Sequence, residues 1–189
     1  MRRSPVGGLL AIAVTCLPLL AGTTSVAASP RTRPTIGKQQ IAELMGSDTV
    51  TLDYFGISVA TSDTTVVVGA PNHAKDVGRA YVFTNTAAGW TQVAELKGSD
   101  TVTNDNFGYS VATSGTMAVV GAPGHASFAG RAYVFTKQGG GWKQAAELKG
   151  SDTVAADFFG YSVATSGTTV VVGAYAHASF AGRAYVFEV

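Results

Sequence analysis

One stretch of this chain occurs three times at a fixed spacing, and that repetition limits the fold more than any other feature. Ala42-Glu43-Leu44 returns as Ala94-Glu95-Leu96 and as Ala146-Glu147-Leu148, 52 residues further on each time. A constant period of this length marks a propeller, a solenoid or an array of small units that bury their apolar faces only by stacking. Residues 94–135 and 146–187 differ at seven of 42 aligned positions. The copies must therefore share one backbone, and whatever distinguishes them lies in those few side chains.

Each copy reads as β structure. In the second, Phe107, Tyr109 and Val111 alternate with Gly108, Ser110 and Ala112, the period of two expected of a strand. Residues 113–116, Thr-Ser-Gly-Thr, predict a tight turn. Residues 117–122 are apolar at every position, as suits a strand covered on both faces. Pro123 ends that strand because it has no N–H to give a ladder. A loop is expected over 124–130, then a third strand over 131–136. Gly139-Gly140-Gly141 turns the chain into a fourth strand, 142–148. The unit is four antiparallel strands, and no helix signal follows the N-terminal segment. Residues 40–44 match a fourth strand standing alone, and 183–189 match a third strand. Twelve strands make three complete blades only if 40–44 completes the last sheet. The expected fold is all-β, a partial propeller of three four-stranded blades at about 39–93, 94–145 and 146–189. A β-trefoil or β-prism is the alternative of similar strand count.

The N-terminal segment stands apart from the repeats. Arg2 and Arg3 precede an apolar run from about Gly7 to Gly22, and Val26-Ala27-Ala28 places small residues where cleavage is expected. This pattern predicts a secretory signal peptide over 1–28, cut after Ala28. The run is short for a membrane anchor and contains Pro18. Residues 29–38, SPRTRPTIGK, read as a flexible leader. Cys16, the single cysteine, lies in the apolar run behind a poor match to a lipoprotein cleavage box. A cleaved chain would have no thiol and no disulfide, and would depend on packing alone. From Gln39 onward there are 8 basic and 12 acidic residues. Nucleic acid is not an expected partner, since phosphate binding needs a concentrated basic face. No later stretch is long enough to span a bilayer.

Phe55-Gly56, Phe107-Gly108 and Phe159-Gly160 recur with Gly69-Ala70-Pro71, Gly121-Ala122-Pro123 and Gly173-Ala174-Tyr175. This pairing resembles the FG-GAP repeat, which builds the seven-bladed propeller of integrin α-subunits and of many secreted bacterial proteins. The resemblance covers the chain from about Gln39 onward. It implies a β-propeller interaction module. Tyr175 departs from the pattern where proline is expected. So do the turns at 61–64, 113–116 and 165–168. Calcium-binding relatives carry a DxDxDG-type loop there, whereas these three turns hold one carboxylate, Asp63. Calcium needs six to eight oxygen ligands. No metal and no cofactor are therefore expected.

Candidate chemistry falls at repeated positions. His73, His125 and His177 occupy one place in the loop after the second strand. Asp48, Asp100 and Asp152 lie between blades, and Asp53, Asp105 and Asp157 stand two residues before each Phe-Gly pair. A ligand- or metal-binding face is one reading of the histidines. Turn capping through side-chain bonds to backbone N–H groups accounts for the aspartates. Phe128 and Phe180 sit in HASFAG loops where the first copy has Asp76, and apolar rings on a polar loop suggest a contact surface. Trp90 and Trp142 open fourth strands and are expected to pack between blades.

Repetition disfavours catalysis, which needs different groups in different roles around one point. The leading expectation is a secreted, non-catalytic binding module of adhesion type with a protein or glycan ligand. A carbohydrate-binding lectin and a secreted hydrolase are the alternatives. A homodimer closing six blades from two chains is also expected, because propellers use about four to eight blades.

Overall fold

Alternating side chains divide every strand of the middle repeat between two cores. The computed structural model describes residue 37 and residues 39–189. The expected signal peptide, 1–28, and all of the leader except Gly37 lie outside the described residues. The first blade is β1 (Ser58–Ser62), β2 (Thr65–Ala70), β3 (Arg79–Thr86) and β4 (Gly89–Leu96). The second is β5 (Ser110–Ser114), β6 (Met117–Ala122), β7 (Arg131–Gln138) and β8 (Gly141–Leu148). The third is β9 (Phe159–Ser166), β10 (Thr169–Ala174) and β11 (Arg183–Glu188). Each is an antiparallel meander with strands side by side in chain order. Three successive meanders packed face to face make a partial propeller.

On β6 and β7, Ala118, Val120, Tyr133 and Phe135 pack with Val67, Ala80, Val82 and Leu96 of the first blade. Their neighbours Val119, Ala132 and Val134 pack with Phe159, Val170, Val172 and Ala174 of the third. All six residues of β6 are buried, which explains its unbroken apolar sequence. Full burial of one such valine stabilises by about 1.5–3 kcal/mol relative to exposure. Ser114 pairs with Met117 across a two-residue turn, and Gly115 supplies the positive φ, 57°, that such turns need.

The Phe-Gly marks knit blade to blade. Phe107 is fully buried, and its N–H donates to the Val77 carbonyl of the preceding blade at 3.1 Å. Phe159 repeats this contact with Ala129 at 3.1 Å. Glycine is required opposite: a Cβ on Gly78 would lie 2.0 Å from the Phe107 carbonyl oxygen, and one on Gly130 would lie 1.9 Å from that of Phe159. In the second blade Phe107 and Gly108 lie outside the first strand, which starts at Ser110 rather than Phe107. In the third blade β9 does begin at Phe159.

Two further details differ from expectation. The loop after each second strand contains a four-residue helical turn, at His73–Asp76, His125–Phe128 and His177–Phe180. Its inner residues have φ of 51–62°, so the turn is left-handed, and right-handed helix propensity gives no hint of it. There are also eleven strands among the described residues, not twelve. Residues 40–44 form no strand. Leu44 nevertheless packs on Val68, Ala70, Tyr81 and Phe83, and the third sheet ends at β11.

Candidate functional site

The loops that leave one end of each blade hold a repeated cluster of Asp, His and Asp, joined by a tyrosine from the blade's third strand. In the first blade, Asp53 Oδ2 accepts the Val50 N–H at 2.8 Å, which closes the turn before the Phe-Gly mark. The same oxygen meets His73 Nδ1 at 2.8 Å. An ionised carboxylate only accepts, so Nδ1 donates here and the ring orientation is set. Nε2 faces Asp48 Oδ2 at 3.6 Å, and Asp48 Oδ1 accepts the Tyr81 hydroxyl at 2.8 Å. The second blade repeats this with Asp105, His125, Asp100 and Tyr133, and the third with Asp157, His177, Asp152 and Tyr185. The Asp53, Asp105 and Asp157 side chains are thus turn caps and ring anchors. The histidine side chains are only 10–14% exposed, each with a tyrosine ring set nearly at right angles to it at 6.5 Å, and offer little surface to a ligand.

These bonds move the titrations. The Val154 N–H and then His177 hold the Asp157 carboxyl below its ordinary value. Burial opposes ionisation of Asp53, and the Val50 N–H and His73 outweigh it. The Tyr185 hydroxyl and Arg183 lower Asp152, while burial and then Asp152 push Tyr185 up to about 12. Carboxyls depressed in the fold add stability above their unfolded value of about 4 and lose it as pH falls through the lower folded value. The melting temperature should stay level from pH 7 to about 5 and drop below about pH 4. Asp157→Asn should flatten that drop. A melting temperature unchanged down to pH 2.5 would refute this role.

Asp48, His73 and Glu95 bring one ligand-type atom each to within 4.8 Å of one another, as do Asp100, His125 and Glu147. Arg79 already binds Glu95, and Arg131 binds Glu147 at 2.7 Å, so existing ion pairs account for these groups. The family's calcium does not fit the turns between first and second strands. They are two-residue hairpins, closed by Ser62 with Thr65, Ser114 with Met117 and Ser166 with Thr169.

The surface with exposed chemistry is aromatic. Phe128 and Phe180, both picked out from the sequence, are 44% and 74% exposed. Phe128 stacks on Phe158 at 5.2 Å, Phe158 on Tyr175 at 5.4 Å, Tyr175 on Tyr161 at 4.5 Å and Tyr161 on Tyr109 at 4.8 Å. Phe180 joins through Tyr175 at 6.0 Å. The strip spans the second and third blades. Beside Phe128, an open groove of about 470 Å³ runs between residues 102–106 and the turn at 124–128. Sequence reasoning missed Tyr109, Phe158, Tyr161 and Tyr175. The signal was present for two of them. Among the seven differences between copies two and three, Asn106 becomes Phe158 and Pro123 becomes Tyr175, and these two new rings touch.

Among solved structures, the computationally designed Ika4 protein is 19% identical, with a TM-score of 0.49, covering 80% of this chain and 73% of that one. Sqt1 of Saccharomyces cerevisiae is 14% identical, with a TM-score of 0.46; this chain is covered over 74% and spans 33% of Sqt1. No curated protein sequence matches significantly. The FG-GAP repeat matches three times, at residues 39–83, 90–135 and 142–187. With these matches over blades joined through their Phe-Gly marks, the chain belongs to the FG-GAP repeat family.

Proposed function

We propose that this chain is an extracellular, non-catalytic binding module of adhesion type that holds a protein partner against the aromatic strip of its second and third blades. The strip carries the reading. Open Tyr and Phe rings supply large contact area with few rotatable bonds, which suits a binding surface. Rings packed on one another are also already ordered, so little freedom is lost when a partner docks. The Asp–His–Asp clusters recur unchanged in all three blades and serve the scaffold, which weighs against a hydrolase. The leader pattern supports export, with the cut after Ala28. Binding should proceed without calcium, because the turns lack the acidic loop.

A glycan ligand is the second reading, favoured by the groove beside Phe128. Its volume, about 470 Å³, falls in the range of small-ligand clefts. Labelled full-length chain applied to panels of extracellular proteins and of printed glycans, with a chelator present, tests both. Binding should be lost in Phe180→Asp, which installs the residue found at that place in the first copy. Its stability should hardly change, since the side chain is mostly exposed and Asp76 tolerates the same left-handed backbone, φ 64°. Wild-type chain that binds neither panel, or binding that survives Phe180→Asp, would remove the strip as the site.

A further inference from the structure

The joint between the first and second blades is repeated, atom for atom, between the second and third. A Cβ on Gly69 would lie 1.9 Å from the Gly108 carbonyl oxygen, and one on Gly121 would lie 2.0 Å from that of Gly160. Gly108 and Gly160 meet the Arg79 and Arg131 carbonyl oxygens in the same way, at 2.1 Å each. Ser58 Oγ donates to Gly108 at 2.8 Å, and Ser110 Oγ donates to Gly160 at 2.7 Å. Only glycine permits these backbone approaches.

Both halves of the same joint stand open at the ends of the unit. Gly56, the counterpart of Gly108, has nothing within 4 Å of its would-be Cβ. Gly173 meets only its own neighbour Ser162, and Gly182 meets only Tyr175. Val59, at the place of buried Val111, is 67% exposed, and so is Val186, at the place of buried Val82 and Val134. The fourth strand shows the same split. Arg79 and Arg131 each bind a glutamate on their own fourth strand, whereas Arg183 turns to Asp152 at 2.8 Å. The missing glutamate exists in the chain: Glu43 stands in Ala-Glu-Leu at the place of Glu95 and Glu147, and is exposed. Leu44 already lies against the first blade where Leu96 lies against the second.

We propose that a second copy of this chain docks end to end on the first, its residues 40–44 becoming the fourth strand of the third blade, so that two copies close a ring of six blades. The register follows from the first blade, where Ala80, Tyr81 and Val82 pair with Leu96, Glu95 and Ala94. Ala184 then pairs with Leu44 of the second copy, Tyr185 with Glu43 and Val186 with Ala42. Glu43 reaches Arg183 and completes the cluster at Asp152 and His177. Ser162 donates to the Gly56 carbonyl, and Gly182 receives Phe55. The joint forms twice, head to tail, and the ring closes within the usual four to eight blades. The apolar ends are thereby covered by a surface the chain has already shown to fit them. By the same repeat, Phe180 stands where Phe128 meets Phe158 across the existing joint, so Tyr54 of the second copy lies beside Phe180 at one edge of the aromatic strip.

Recent duplication alone would also leave glycine at these places, and one experiment separates the two. Full-length chains carrying Cys16→Ser are prepared with either Ala42→Cys or Val186→Cys, mixed in equal amounts and oxidised. The mixture should give a covalent pair with one chain of each kind, and neither chain alone should do so. Light scattering at micromolar concentration should give twice the chain mass. Glu43→Arg and Arg183→Glu should each weaken association at least roughly tenfold, and the double variant should restore it. A monomeric mass without the mixed cross-link would overturn the proposal. So would an intrachain bond in an Ala42→Cys/Val186→Cys chain of monomeric mass, which would show that each chain closes on itself. A series of ever larger multimers would overturn the closed ring.

Discussion

Phe107→Ala is expected to destabilise the fold by about 3–5 kcal/mol, the cost of emptying a fully buried aromatic site. The Phe107 ring is covered on every side. It packs on Tyr133 at 5.5 Å and Phe135 at 6.0 Å, and shares a core with Val67, Val82 and Leu96 of the preceding blade. Its loss would open a cavity at the seam between two blades, where neither sheet can collapse without dragging its ladder. Phe55 makes the same contacts within its own blade, with Tyr81 at 5.6 Å and Phe83 at 6.2 Å, but has no blade behind it and is half-buried. Phe55→Ala should therefore cost the separated chain only about 1–2 kcal/mol, in proportion to the smaller area covered. Urea unfolding of both variants reads the difference directly, provided the slope stays that of the wild type. Equal losses would show that the seam between blades is not what the phenylalanine stabilises.

Gly130→Ala should be at least as damaging. The residue sits at φ 82°, where a Cβ costs about 1–2 kcal/mol. The added methyl would also lie 1.9 Å from the Phe159 carbonyl oxygen, so the second and third blades would have to separate. A total beyond about 4 kcal/mol is expected, in the range reserved for a specific steric failure. Gly182→Ala is the matched comparison. Its φ is 74°, and the nearest atom to the new Cβ is the Tyr175 carbonyl oxygen at 3.2 Å. It should cost the separated chain only the backbone term, about 1–2 kcal/mol, and act instead by blocking association. Similar thermal shifts from the two substitutions would contradict the close approach of blades at Gly130.

The sequence made the repeat period, the strand order and the Phe-Gly seams legible, because each is written in residue types with a narrow physical use. The run from Met117 to Ala122 could only be a strand covered on both faces, and the alternation over Tyr133, Val134 and Phe135 split between two cores as a period of two requires. Other features had no such local signature. The left-handed turn at His125–Phe128 is built from Ala, Ser and Phe, residues that rarely adopt positive φ. Bonds within the turn close it, from Phe128 N–H to the Gly124 carbonyl at 3.1 Å and from Gly130 N–H to the His125 carbonyl at 2.9 Å. The same bonds close the third turn, which has no blade beyond it. From the sequence the histidines admit a ligand face as one reading, whereas in the structure Asp53, Asp105 and Asp157 hold their rings inward. Residues 40–44 have strand composition and form no strand, since a ladder needs an edge that composition cannot supply. The aromatic strip was legible only in part: Phe128 and Phe180 stood out in their polar loops, whereas Tyr109 and Tyr161 read as ordinary strand residues. The departures of the third copy from the second, at Phe158 and Tyr175, were a further sign of it.

Those two positions give the sharpest test of the division between a shared scaffold and a binding surface carried by a few side chains. Phe158→Asn and Tyr175→Pro together restore the residues of the second copy, Asn106 and Pro123, on a backbone that already accepts them in that copy. The measurement is the affinity of this double variant for the wild-type chain's best ligand from the protein and glycan panels, with the melting temperature taken alongside. The expected result is a melting temperature within a few degrees of wild type and a loss of binding of roughly a hundredfold or more, as when the central rings of an interface are removed. Undiminished binding by a folded double variant would contradict the assignment of function to the strip.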